Sequence, residues 1–307
     1  MKALALIIAL ALQATGLWQQ LPADQRQQLA ATATGRPILA VAGGSPSLGR
    51  VLPVQVRHAT APPPAAGASS YALDRTSGLM LASSGPTQPR AIASITKIVT
   101  SLTILERHQP DARVTIGQLP TYQPDDDLLG LRPGETYTVG ELVQAALVPS
   151  ANDAADALAI YDAGSTTAFA ARMNAYVASW GIVGATFAGP SGLKDAGNAV
   201  SPEALAKLAG LALAQPVIAG IVRQSSISIQ SSTVGRRTLS ADTTNQLLAS
   251  GRYYGIKTGY TLAAGQCFVG LTQIDGHDVI TVVLGSTDRF GDTERLVNWI
   301  TNSYLWF

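Results

Sequence analysis

The chain has 307 residues, 47% of them apolar and only 13% charged, with 21 basic and 20 acidic side chains and a formal net charge of +1. That length holds one large domain or two modest ones, and the near-neutral balance argues against a nucleic-acid partner, which calls for a basic surplus on one face. A single cysteine, Cys267, excludes an intrachain disulfide framework; the histidines (His58, His108, His277) fall in separate segments without ligand-like spacing, so neither a metal site nor a cofactor is expected.

The N-terminal stretch "MKALALIIALALQATG" carries one lysine, an apolar run from Ala3 to Leu12, and small residues at Ala14 and Gly16, three and one before a possible cleavage point. Residues 1–18 therefore read as a signal peptide or N-terminal anchor. The bulk of the protein is expected in the periplasm or on the extracellular side of the cytoplasmic membrane, attached to it, if at all, through the N-terminus only. Residues 19–68 look like a spacer: "ATAPPPAAGASS" has linker composition, and three consecutive prolines favour extended polyproline II.

From residue 69 to 307 the texture is that of one folded domain. "SYALDRTSGLMLAS" reads as two strands joined by a turn at Thr76-Ser77-Gly78. In "AIASITKIVTSLTILE" the apolar residues Ile95, Ile98, Val99, Leu102 and Leu105 follow the period of a buried helix stripe. A further helix opens near Thr138, with Glu141 as capping-box partner, and breaks at Pro149 before another starts around Asn152. "TTAFAARMNAYVASWGI" is amphipathic, and "SPEALAKLAGLALA" has Ser201 as N-cap with Pro202 at the first helical position. The strand-like segments "SSISIQ", "YYGIKTGYT", "GQCFVGLTQI" and "HDVITVVLGS" follow, then a closing helix in "DTERLVNWITNSYLWF". Two strands, a helical block, several strands and a terminal helix imply an α+β fold: an antiparallel sheet flanked by helices with an inserted helical lobe.

Three short patterns carry chemistry. Ser94 and Lys97 stand three apart at a helix start, so both lie on one face, and the helix N-terminus supplies N–H groups suited to a developing oxyanion. Ser191-Gly192-Leu193-Lys194 has the same spacing, but it follows Pro190 and opens no apolar helix; it reads as a loop. Ser150-Ala151-Asn152 sits at the break between two helices, where Ser150 or Asn152 has the alternative reading of a plain N-cap. Lys257-Thr258-Gly259 lies in a strand, and the glycine suggests that another backbone or a ligand approaches closely there.

In this order the three patterns resemble the active-site set of penicillin-recognising serine enzymes. Over residues 70–307 the segments "GLRPGETYTVGELVQAALVPSANDAADALA", "GIKTGYTLAAGQCFVG" and "VVLGSTDRFGDTERLVNW" are similar to the D-alanyl-D-alanine carboxypeptidase family of low-molecular-mass penicillin-binding proteins. The resemblance implies a β-lactamase/transpeptidase-like fold and a serine DD-peptidase acting on peptidoglycan stem peptides, with β-lactam antibiotics as covalent inhibitors. On it, Ser94 is the acyl-accepting nucleophile and Lys97 its base, with a pKa lowered by burial and by nearby Lys257. Ser150 relays a proton to the leaving amine, and Asn152 holds the substrate amide. Lys257 and Thr258, beside Gly259, hold the terminal carboxylate, with Arg289 as a further carboxylate contact or, alternatively, a surface ion-pair residue. The N–H groups of Ser94 and Tyr260 form the oxyanion hole.

An endopeptidase would use the same machinery. A class A-like β-lactamase is disfavoured, because between Asn152 and Lys257 the only glutamate, Glu203, sits at a helix start and reads as a dipole-stabilised acid. A non-catalytic wall-binding protein is disfavoured by the intact triplet. The chain departs from its relatives in "YQPDDDLLGLRPGE", where three aspartates and two leucines replace small or polar residues. That loop is expected to alter access to the cleft, and Asp125–Asp127 is read as a solvated run, not a cation site.

Overall fold

The computed structural model describes residues 54–56, 69–193, 197–233 and 235–306. The expected signal or anchor and nearly all of the expected spacer lie outside the described residues; within the spacer, Val54–Val56 is described as strand β1.

Strands β2 (Ser69–Asp74) and β3 (Met80–Ser84) form the expected hairpin. The Asp74 carboxylate accepts the N–H groups of Thr76 at 3.0 Å and Ser77 at 3.3 Å, and Gly78 turns the chain at φ +78°. Then come β4 (Arg90–Ala91), a 3₁₀ turn over Ala93–Thr96, and helix α1 (Lys97–Arg107). β5 (Arg113–Thr115) and β6 (Thr136–Thr138) pair across a long loop. Helices α2 (Val139–Leu147), α3 (Asn152–Ala163) and α4 (Thr166–Ser179) follow, then β7 (Ala185–Thr186), β8 (Ala199–Val200), α5 (Pro202–Leu213) and α6 (Pro216–Ile221). β9 (Ser226–Gln230) pairs with β10 (Thr238–Asp242) as a separate hairpin. After a 3₁₀ turn, β11 (Tyr253–Thr261), β12 (Gly265–Ile274) and β13 (His277–Ser286) match the three expected strands, and α7 (Arg289–Ser303) closes the fold. The closing helix was expected to run to the end of the chain; it stops at Ser303, where β14 (Tyr304–Leu305) pairs antiparallel with β1.

The central sheet has the order β11-β12-β13-β2-β3 and is antiparallel throughout, so strands from both ends of the domain close on each other at β13 and β2. Side-chain alternation divides two cores. Tyr71, Val269, Ile280, Val282 and Leu284 face the larger one, built with α1 to α5; Ala72, Phe268 and Val279 face the smaller one, with Leu296, Val297 and Ile300 of α7. Helices on both faces explain why β12 and β13 read as nearly continuous apolar runs. The fold is α+β with an inserted helical lobe, as expected.

Within the lobe α1 packs against α2, α3, α4 and α5. Alanines at 154, 155, 157 and 159 of α3, all buried, let neighbouring helices approach closely. The expected capping box is complete: Thr138 Oγ1 accepts the Glu141 N–H at 3.2 Å, and Glu141 Oε2 accepts the Thr138 N–H at 2.7 Å. Ser201 caps α5, accepting from the Ala204 N–H at 3.3 Å, with Pro202 at its first position. Glu203 pairs with Lys207 one turn on, at 2.7 Å. Among the described residues no helix is long and apolar enough to cross a membrane.

Candidate active site

Three chain segments far apart in sequence converge on one cleft. The first is the 3₁₀ turn before α1. The α-helix proper starts at Lys97, one turn later than the apolar spacing suggests, and Ser94 stands in the turn that leads into it. Ala93, Ile95, Thr96 and Lys97 are buried while Ser94 is only partly so, which leaves it the reachable side chain of the turn. Ala93 holds φ +47°, a conformation an alanine adopts only under constraint from its surroundings.

Lys97 is fully buried, and its ammonium nitrogen donates to three acceptors: Ser94 Oγ at 2.8 Å, Asn152 Oδ1 at 2.7 Å and the Ser191 carbonyl at 2.7 Å. Burial lowers its pKa to about 7, against the opposing pull of Asp156, Asp127 and Asp153. Lys257, also buried, is lowered well below the usual lysine range, first by burial and then by the charge of Lys97. Burial is the leading cause at both lysines, and the repulsion between their two ammonium groups is shared by the pair.

The second segment is the break between α2 and α3. The N-cap alternative fails here, because the capping position is Ala151, without any side-chain cap. Ser150 instead takes φ +69° while buried, and Asn152, the first residue of α3, turns its amide oxygen to Lys97. The Asn152 N–H donates to the carbonyl of Asp127 at 2.8 Å. Asp153 gathers the N–H groups of Leu129, Gly130 and Leu131 at 2.8–3.0 Å, so the loop "DDDLLGL" is fastened to the start of α3.

The third segment is β11, an edge strand of the sheet. A Cβ added at Gly259 would lie 2.7 Å from the Ile92 carbonyl oxygen and 3.2 Å from the Ile95 nitrogen. This is the close backbone approach the glycine suggested, and it is made with the turn that carries Ser94. Thr258 is buried with its hydroxyl 2.5 Å from that of Thr244, whereas Tyr260, next after Gly259, is exposed. Arg289, at the start of α7, takes no surface ion pair among the described residues. It donates to the Gly259 carbonyl at 3.0 Å and lies 4.9 Å from the Phe290 ring centroid.

Sequence reasoning missed a fourth contributor. The Pro190–Leu193 loop supplies the Ser191 carbonyl to Lys97 and packs Gly192 onto the turn that carries Ser94. It is bolted there by Thr100, whose hydroxyl donates to the Pro190 carbonyl at 2.6 Å. Asn198 adds a second bolt, donating to Thr96 Oγ1 and to the Gly189 carbonyl, both at 3.1 Å. Among the described residues no group of three or more histidine, cysteine or acidic side chains is placed to hold a metal ion.

The chain has counterparts among known proteins in sequence and in fold. The family profile for D-alanyl-D-alanine carboxypeptidase matches residues 56–288. The chain belongs to this family. D-alanyl-D-alanine carboxypeptidase DacC of Escherichia coli K12 is 31% identical over 244 residues, which cover 74% of this chain and 59% of that protein. The D-alanyl-D-alanine endopeptidase of the same organism is 29% identical over 246 residues, 78% of each chain. The crystal structure of the Streptomyces K15 DD-transpeptidase superposes with a TM-score of 0.71 at 26% identity, covering 78% of this chain and 99% of that one. The expected transpeptidase-like architecture is therefore the observed one for this D-alanyl-D-alanine carboxypeptidase family member.

Proposed function

We propose that the protein is an exported serine D-Ala-D-Ala carboxypeptidase that trims peptidoglycan stem peptides and is acylated by β-lactams. Residues 69–307 would be the catalytic domain, 1–18 the export signal or anchor, and 19–68 the tether between them. The observation that carries the reading is the Lys97 Nζ to Ser94 Oγ contact of 2.8 Å, made by a lysine whose pKa lies at about 7. In its neutral form that amine takes the hydroxyl proton as Ser94 Oγ attacks the carbonyl carbon of the penultimate D-alanine. The C–N bond then breaks, and Ser150 passes a proton to the departing amine of the terminal D-alanine. Water attacks the acyl-Ser94 ester and releases the shortened peptide.

Lys257, Thr258 and Arg289 would hold the terminal carboxylate, Asn152 the substrate amide, and the N–H groups of Ser94 and Tyr260 the oxyanion. A DD-endopeptidase on the same machinery is the second reading, favoured by the coverage of the Escherichia coli endopeptidase on both chains. Intact-protein mass spectrometry after incubation with benzylpenicillin tests the proposal. A lasting one-to-one adduct that peptide mapping places on Ser94 is expected; rapid drug hydrolysis without an adduct would move the assignment to a β-lactamase.

The pH profile tests the base. Because Lys97 must be neutral to act, and its pKa lies at about 7, acylation should rise with pH up to that value and level off above it. Below it the rate should fall about tenfold per pH unit. A rate flat between about pH 5 and pH 8 would remove Lys97 from the role.

A further inference from the structure

The acids around the cleft differ in what they have to do. Asp153 is spent on the backbone of its loop, and Asp156 accepts the Tyr122 hydroxyl at 2.9 Å. Asp126 accepts the Gln123 N–H at 2.7 Å. Asp127 is exposed, and among the described residues its carboxylate takes no hydrogen bond or ion pair. Yet its main-chain carbonyl is fixed on the Asn152 N–H at 2.8 Å, one residue from the amide that touches Lys97. That bond holds Asp127 at the solvent-facing edge of the site, where its charge opposes the lowering of the Lys97 pKa. Leu128, 42% exposed, adjoins it with open apolar surface.

We propose that Asp127 and Leu128 form a specificity site for an alkylammonium side chain on the peptide preceding the two D-alanines. The site would take a diamino acid whose side-chain amine is still free. Methylenes would lie on Leu128 and the ammonium would meet the Asp127 carboxylate. Burial disfavours the charged forms of Lys97 and Lys257, which weakens the repulsion from the cleft floor that opposes this attraction. In a cross-linked strand that amine is acylated and neutral; the site would therefore direct the enzyme to uncross-linked stems. The inference rests on the carboxypeptidase reading above and narrows its substrate.

The test compares kcat/KM for release of D-alanine from L-Ala-γ-D-Glu-L-Lys-D-Ala-D-Ala and from its Nε-acetylated form, using the full chain. The unmodified enzyme should favour the free amine by about two- to fivefold, the scale of one exposed ion pair, and the preference should shrink with added salt. Asp127→Asn should bring the ratio to about one, whereas Asp126→Asn should leave it as in the unmodified enzyme. An undiminished ratio in Asp127→Asn, or no preference in the unmodified enzyme, would overturn the specificity site while the carboxypeptidase reading stands on release of D-alanine from either peptide. If the unmodified enzyme cleaves neither, the carboxypeptidase reading falls and this inference with it.

Discussion

Replacing Lys97 with methionine is expected to slow acylation of Ser94 by roughly 10³-fold or more while leaving the protein folded. The kinetic half follows from geometry. Lys97 Nζ is the nitrogen placed 2.8 Å from the Ser94 hydroxyl, and a serine without a base to take its proton is a poor nucleophile. The stability half is less intuitive, because a fully buried side chain with three hydrogen bonds is being removed.

The lysine is itself a burden on the fold. In the unfolded chain it holds its proton up to the ordinary value of 10.5, in the folded protein only up to about 7. Between those values the unfolded state binds more protons, so stability should rise with pH across that window, and the penalty is complete below it. A shift of this size corresponds to a penalty on the order of 5 kcal/mol at low pH. Methionine removes it but leaves the Asn152 and Ser191 oxygens without their donor, each at about 1–3 kcal/mol, so the two effects largely offset. Urea unfolding between about pH 7 and pH 9 decides the matter: the variant should show a visibly weaker gain in stability with pH than the unmodified protein, the remainder coming from Lys257. An identical slope would mean that Lys97 is not depressed in the folded state. Near-normal penicillin labelling in the variant would mean that another group is the base.

That trade between function and stability also marks where sequence reading succeeded and where it stopped. β2, β3 and β11 to β13 were legible because glycine and polar turns punctuate apolar runs, and α2 and α5 because their caps use side chains with a signature. The Ser94–Lys97 pair was legible because both members act through side chains one helical turn apart. Ser191 was not, since it contributes a backbone carbonyl, which any residue carries, and reaches Lys97 across 94 positions of chain. The serine that opens what looks like an idle copy of the Ser94 pattern belongs to the loop whose carbonyl reaches Lys97. Arg289 was ambiguous for the opposite reason: an arginine at a helix start reads as surface until the strand beside it is known, and its partner is again a main-chain oxygen, that of Gly259.

Gly192→Ala should therefore damage the enzyme nearly as badly as a change in the nucleophile turn itself. Gly192 holds φ +78°, and a Cβ there would fall 2.0 Å from the Ala93 carbonyl oxygen and 2.9 Å from Thr96 Oγ1. The first neighbour is backbone, and Ala93 already sits at φ +47°, so the turn has little freedom to retreat without moving Ser94. Gly164, at the C-terminus of α3, has the same φ of +78° with nothing within 4 Å, and Gly164→Ala separates the backbone cost from the clash. The control should lose about 1 kcal/mol, the cost of placing alanine in the left-handed region. Gly192→Ala should lose about 3 kcal/mol or more, because overpacking against a fixed main chain adds to that cost. Its benzylpenicillin labelling should slow at least about tenfold at temperatures where it remains folded, since a 1 Å displacement of a reacting group costs far more than that. Thermal unfolding and labelling kinetics on the two variants are the measurement. If Gly192→Ala unfolds with Gly164→Ala and labels at the normal rate, the loop does not position the nucleophile turn, and the Ser191 carbonyl is incidental to the chemistry.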